Sequence, residues 1–295
     1  MHIITQQLAT SVLRIAIWMS ITTPILSNAA ELATQDHFDH GTLSETLAHF
    51  IQSGNTTHRL VKDPLGGVGY SLDQTLRRYE DNISYRTELR LKARFDFNKE
   101  HWLTYKILVP NSWQNDETGL ITAQMHGIPD KDLGEPYRNP NIGLSLRGDT
   151  WVISGKWDNK RVTLNKGYAG QWSKEVGRLK KGVWETWVFR MTLSYTETGN
   201  GRLTIWRDGK QVFDRKGPNS YNDLKAPYFK FGLYKPSWRP QYKNSTSTRY
   251  TLYFDDFEMG TDLCGDNQTR PWCPGNSVNL STPSTPTLER LNGSG

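Results

Sequence analysis

The sequence predicts an all-β fold, a sandwich or jelly roll built as one domain, and three observations carry that expectation. The stretch YRTELRLKARF at 85–95 alternates strictly, with Leu89, Leu91, Ala93 and Phe95 on one parity and Arg86, Glu88, Arg90, Lys92 and Arg94 on the other. That is the period of a strand with one buried face. Alternating or apolar segments recur at 86–97, 102–109, 119–126, 141–147, 151–157, 161–164, 184–194, 202–207, 210–213, 228–234 and 250–258, separated by Gly, Pro, Asn and Asp clusters. Between RLTIW and KQVF stands Asp208-Gly209, a pair that favours a tight hairpin turn. So many short strands at this spacing indicate a sandwich or jelly roll. At 295 residues and 36% hydrophobic content, the chain can bury one substantial core and leaves little room for a second full domain.

Taken from the N-terminus, the chain is a β domain with dressed ends. Arg14 precedes the apolar run IAIWMSITTPIL at 15–26, too short to span a bilayer, and Ser27-Asn28-Ala29-Ala30 follows it. Residues 1–30 therefore read as a secretory signal, which makes the mature protein secreted, or periplasmic in a bacterium, with no membrane attachment after cleavage. In HGTLSETLAHFIQSG at 40–54, Leu43, Leu47, Phe50 and Ile51 fall at helical spacing behind Thr42 and Ser44, which predicts a short packing helix. The β domain then runs to residue 274. Its two cysteines, Cys264 and Cys273, lie in CGDNQTRPWC, and an oxidising destination lets them close a small disulfide loop. From 275 to 295 the tail is rich in Ser, Thr and Pro and poor in core formers, the composition of a disordered segment. Six Asn-x-Ser/Thr sequons, at Asn55, Asn82, Asn244, Asn267, Asn279 and Asn292, are compatible with glycosylation.

Charge and aromatic content narrow the partner. Lys plus Arg number 36 against 30 Asp plus Glu, a formal charge of +6, and 11 Trp and 13 Tyr accompany them. Cations combined with aromatic planes suit anionic carbohydrate and nucleic acid alike, and secretion disfavours nucleic acid. Three segments then place polar groups on one parity only. Arg86, Glu88 and Arg90 share a face; in LITAQMHG, Ile121, Ala123 and Met125 leave Thr122, Gln124 and His126 opposite; in YFKFGLY, Phe229, Phe231 and Leu233 leave Tyr228, Lys230 and Tyr234 opposite. Arg86 and Arg90 should sit about 13 Å apart along their strand, far enough to touch different sugars. Trp238 in KPSWRP, just after the third segment, is expected to line the same groove.

Arg86-Thr87-Glu88-Leu89-Arg90, Gln124-Met125-His126 and Tyr228-Phe229-Lys230-Phe231-Gly232-Leu233-Tyr234 resemble the three signature strands of jelly-roll alginate lyases and their relatives. The longer stretches QMHGIPDKDLGEPYRNPNIGLSLRGDTW and GRLTIWRDGKQVFDRKG with YFKFGLY are similar to the heparin-lyase-I-like and glucuronan-lyase branch of that group. The resemblance runs from about residue 60 to about 260. It implies a β-jelly roll, a concanavalin A-like sandwich with a few short helices, whose concave sheet forms the groove for an anionic polysaccharide and whose chemistry is β-elimination at uronates.

Such a reaction removes the proton on C5 beside the carboxylate and expels the glycosidic oxygen on C4, so the site must neutralise an enolate-like charge. Gln124 offers an amide, Arg86 or Arg90 a guanidinium and His126 an imidazole, and Tyr234 is the expected proton handler. Where the C5 proton and the leaving group lie on one side of the ring, as in glucuronate or mannuronate, Tyr234 serves as base and acid. Where they lie on opposite sides, as in iduronate or guluronate, His126 abstracts and Tyr234 donates. Arg90, Glu88, Lys230 and Trp238 are the expected substrate contacts, Glu88 with a second reading as a structural partner of the arginines. No cofactor is expected; Asp255-Asp256 sits in LYFDDFEMG, more a strand and turn than a ligand cage, and calcium stays open. A monomer is expected. The rival reading is a non-catalytic, lectin-like carbohydrate-binding protein on the same fold; a glycoside hydrolase would want paired carboxylates flanking the bond, and no such string occurs.

Overall fold

Two stacked antiparallel sheets form the molecule. A computed structural model describes residues 31–39, 41–44, 47–53, 56–78, 85–164, 167–239, 245–264 and 270–275. The signal segment, all six sequon asparagines and the tail beyond 275 lie outside them. In chain order the strands are β1 (Glu31–Asp36), β2 (Leu47–Ser53), β3 (Thr56–Lys62), β4 (Tyr70–Arg77), β5 (Arg86–Leu91), β6 (Glu100–Leu108), β7 (Asp116–His126), β8 (Ile142–Gly148), β9 (Thr150–Trp157), β10 (Gly170–Arg178), β11 (Trp184–Thr192), β12 (Arg202–Arg207), β13 (Lys210–Lys216), β14 (Tyr228–Tyr234) and β15 (Arg249–Thr261). Helix is limited, among the described residues, to two single 3₁₀ turns, Lys131–Leu133 and Pro236–Trp238, and no helix there is long and apolar enough to cross a membrane.

One sheet runs β13-β12-β11-β6-β15-β4-β3, with β1 also paired to β15; the other runs β10-β9-β8-β7-β14-β5-β2. Between them, Tyr105 of β6 has ring contacts with Phe189, Phe229, Phe231 and Phe254, and Phe231 stacks on Phe257. Burying such rings supplies the main driving force for joining the sheets. The β12–β13 hairpin turns at Asp208 (φ 51°) and Gly209 (φ 74°), the two positive φ values of the turn expected there. Cys264 and Cys273 are bridged, with Cα atoms 5.5 Å apart.

Three expectations are corrected. The helix at 40–54 is replaced by β2, which pairs antiparallel with β5 from Leu47↔Leu91 to Ser53↔Arg86. His49, Phe50 and Ile51 are weak helix formers, and the open hydrogen-bonding edge of β5 outweighs their spacing. Residues 161–164 form no strand: 161–162 bend, and the Thr163 N–H that a neighbouring strand would use donates to Glu135 Oε1 instead. In β7 a bulge between Ile121 and Ala123 advances the phase. Leu120, not Ile121, therefore shares the core with Ala123 and Met125.

Candidate functional site

β14 lies between β5 and β7, so the three signature segments are neighbours. Register sets Tyr228 opposite His126, Lys230 opposite both Gln124 and Arg90, Gly232 opposite Glu88, and Tyr234 opposite Arg86. Phe229, Phe231 and Leu233 turn to the core, which leaves the polar groups on the outer face of the sheet. Gly232 has φ +139°, and a Cβ there would come within 2.1 Å of Gln74 Oε1 and 2.4 Å of Thr87 O. Only glycine fits that position.

At the middle of this face Glu88 is 1% exposed. Its carboxylate accepts a hydrogen bond from Gln124 Nε2, and its Oε2 lies 3.2 Å from Lys230 Nζ and 3.3 Å from Arg86 Nε. Lys230 and Gln124 are themselves only 2% exposed. Burial lowers the Lys230 pKa, with Glu88 opposing that shift. The structure thus sets Glu88, Lys230 and Gln124, the first two expected to contact substrate and the third to offer it an amide, against one another beneath the surface, with Glu88 Oε2 held by ion pairs to Lys230 and Arg86. Glu88 follows its second reading, holding the cations in place.

His126 and Tyr228 stack at one end, ring centres 5.7 Å apart, and the Arg90 guanidinium lies 4.3 Å from the Tyr228 ring centre. Burial depresses His126 to about 4; the Gly127 carbonyl, 2.9 Å from Nδ1, works against this, and the charges of Lys230, Arg86 and Arg138 add to it. A neutral imidazole donating from Nδ1 to that carbonyl carries its lone pair on Nε2, as a base requires. The same depression bears on stability. The unfolded chain binds a proton near 6.5 that the folded chain refuses until about 4, so this contribution is whole above 6.5 and is lost as pH falls through 4. Urea denaturation at pH 7 and pH 4.5 should show wild type losing about 2–3 kcal/mol more than His126→Gln between the two. Equal losses would mean that His126 is not desolvated.

Tyr234 marks the other end. The Arg86 guanidinium lies 4.2 Å from its ring centre, Tyr85 packs at 6.2 Å, and Arg239 Nη2 donates to its phenol oxygen. Arg239, Tyr85 and Tyr228 were not among the expected site residues. Tyr228 shared the parity that selected Lys230 and Tyr234, whereas Arg239 lies past the strand, where parity has no meaning. Trp238 is corrected: it is fully buried, donates from Nε1 to Ser245 Oγ at 2.9 Å, and stands away from the groove face. Tyr234 and His126 share a face, yet Tyr234 stands six positions along β14 from the partner of His126, about 20 Å for an unbent strand, in a stretch interrupted by a register shift between Phe231 and Tyr234. Arg86 links them, packed on Tyr234 and contributing to the depression of His126.

Among the described residues, Asp130, Glu135 and Asp223 bring carboxylate oxygens within 4.8 Å of one another. Arg138 takes the place a cation would want, bonded to Glu135 and to both oxygens of Asp223 at 2.8 and 2.7 Å, while Arg161 pairs with Asp130 at 3.0 Å. The cluster is an ion-pair knot packed behind His126: a Cβ on Gly127 would meet Asp223 Oδ2 at 2.6 Å and Arg138 Nη2 at 3.2 Å. At the Asp255-Asp256 pair, Asp256 is held by His37 Nδ1 at 2.9 Å and Lys106 Nζ at 2.5 Å.

Comparison with known proteins adds to this geometry. The endo-β-1,4-glucuronan lyase of the fungus Trichoderma reesei superposes with a TM-score of 0.65 at 15% identity, over 75% of this chain and 93% of that one, which shows a shared fold. The alginate lyase AlyC3 (TM-score 0.46, 16% identity, 64% of this chain and 74% of that one) and a botulinum neurotoxin serotype D/C binding domain (0.49, 12%, 78% and 48%) match too weakly to bear on the argument. No curated protein matches in sequence. The profile of the family described as Polysaccharide lyase matches residues 36–258, a span that takes in β5, β7 and β14 whole, and the chain therefore belongs to the polysaccharide lyase family.

Proposed function

We propose that this lyase is secreted and cleaves a 4-linked uronate polysaccharide by β-elimination on the outer face of the β5–β14–β7 sheet. The observation that carries the reading is the register, which gathers Arg86, Arg90, His126, Tyr228 and Tyr234 on that face. Elimination needs a base for the C5 proton, cations to meet the charge that gathers on the carboxylate, and a donor for the departing C4 oxygen. The electron pair of the C5–H bond becomes the C4–C5 double bond, the C4–O bond breaks, and the leaving oxygen takes a proton. The two guanidinium groups supply charge, with bidentate reach to a carboxylate. Tyr228 and Tyr234 offer planes for sugar rings.

The six-residue separation of Tyr234 from the partner of His126 favours the course in which one residue does both proton transfers. Tyr234 takes the C5 proton and returns one to the leaving oxygen, which suits rings with both on the same side, glucuronate and mannuronate. The fungal relative's name adds glucuronan as the first polymer to try. Secretion is supported by the apolar run at 15–26 and by the Cys264–Cys273 bridge.

The test is a panel of glucuronan, alginate and heparin followed by ultraviolet absorbance, since elimination creates a conjugated double bond and neither hydrolysis nor binding does. Absorbance should rise with glucuronan or with mannuronate-rich alginate. Binding of any of these polymers without an absorbance rise would replace the enzyme reading with the lectin-like one.

A further inference from the structure

Tyr234 is the last residue of β14, and the chain leaves the sheet directly after it. The segment from Lys235 to Arg239 is fastened unusually well for a surface turn. Lys235 N donates to Tyr85 O at 2.9 Å, and the Lys235 ammonium, fully buried, donates to Thr118 Oγ1 at 2.7 Å and Gly119 O at 3.1 Å and lies 3.3 Å from Asp116 Oδ2. Ser237 Oγ bonds Thr118 Oγ1 at 2.9 Å. The Trp238 ring packs 5.5 Å from Tyr250, and its Ser245 partner donates on to Asp116 Oδ2 at 2.5 Å. A buried lysine and a buried tryptophan on one carboxylate network fix the backbone at the next residue. That residue is Arg239.

Arg239 reaches back over the turn to the phenol oxygen of Tyr234. Its guanidinium carbon lies 5.4 Å from the Tyr234 ring centre and 5.3 Å from that of Tyr85, a second cation beside a phenol that Arg86 already covers. Arg239 Nε is buried and has no hydrogen-bond partner among the described residues. A buried donor without an acceptor costs stability, a cost set against the hydrogen bond to Tyr234 and the two ring contacts that hold the guanidinium here.

A phenol oxygen offers two lone-pair directions and one hydrogen in the ring plane. With Arg239 donating from one side, the hydrogen of Tyr234 is directed to the other. As that hydrogen passes to a leaving oxygen, charge gathers on the phenol oxygen, and an N–H already aimed at it meets that charge without reorganising. We propose that Arg239 is a positioning residue that acts through Tyr234, fixing the direction in which its proton leaves and returns. The inference rests on the proposed role of Tyr234 and deepens it.

The test uses the full-length protein on whichever of glucuronan, alginate or heparin it cleaves fastest. Arg239→Ala should lower kcat about 10²-fold, as for a misplaced reacting group, with KM changed less than about threefold. Added ethylguanidinium should restore part of the rate to Arg239→Ala but not to Tyr234→Phe, and Arg239→Lys should retain more activity than Arg239→Ala. A near-normal rate in Arg239→Ala, or a loss that neither ethylguanidinium nor the lysine variant recovers, overturns the inference. If instead Tyr234→Phe keeps its rate, the reading of Tyr234 itself falls, a result separate from any obtained with Arg239.

Discussion

Tyr234→Phe should bind its polysaccharide nearly as well as wild type and fail to cleave it, with kcat lower by about 10³-fold or more, the range for losing a group that transfers protons in the transition state. The substitution keeps the ring that Arg86 covers at 4.2 Å and that Tyr85 packs against, so the groove keeps its shape. Only the hydroxyl goes, and with it the acceptor of Arg239. One hydrogen bond of this kind contributes about 1 kcal/mol to folding, too little to unfold a sandwich of this size. Calorimetric binding and initial rates measured side by side separate the outcomes. A variant that cleaves at near-wild-type rate would remove Tyr234 from the chemistry and turn attention to the His126 and Tyr228 end.

Glu88→Ala should destabilise the fold by about 3–5 kcal/mol, the cost of leaving a buried cation without its counter-ion. Lys230, 2% exposed, loses the carboxylate 3.2 Å from its ammonium, and Gln124 loses its acceptor. Burial already sets the Lys230 pKa below its usual 10.5, and without Glu88 it should fall further. A lysine depressed in the folded state withholds stability until the solution passes its unfolded value, so the defect should shrink as pH rises toward 10.5. Lys230→Met in the Glu88→Ala background should return most of the loss. Urea denaturation of both variants at pH 7 and pH 10 measures this; a defect that ignores pH and the second substitution would mean that Lys230 is not the stranded charge.

Much of this was readable from the chain because alternation reports which face a strand residue takes. β14 is found at its expected limits, 228–234, and the outward set on β5 follows its parity. Parity does not report depth. Glu88, Lys230 and Gln124 point outward and are buried all the same, since their own polar neighbours cover them. Nor does it register a bulge, which moved Ile121 off the core face. β4 was missed because Ser71, Asp73, Gln74 and Thr75 are buried polar residues with no apolar rhythm, and β2 because strand pairing with β5 overrode a helical spacing. Arg239 and Trp238 lie beyond the last residue of β14, where the burial of Trp238 and the approach of Arg239 to Tyr234 depend on tertiary contacts around Asp116.

The layering of charge at Glu88 has a consequence for how a polymer arrives. With Glu88 and Lys230 both buried and Arg86 and Arg90 less so on the same face, that face carries guanidinium groups outward while the carboxylate that pairs with Arg86 is hidden from the solvent. A polyanion is drawn to such a surface from a distance, and dissolved salt weakens that attraction. On the proposed reading, the contacts that act on the bond would be short and shielded once the polymer is seated. Ionic strength should therefore change encounter far more than cleavage.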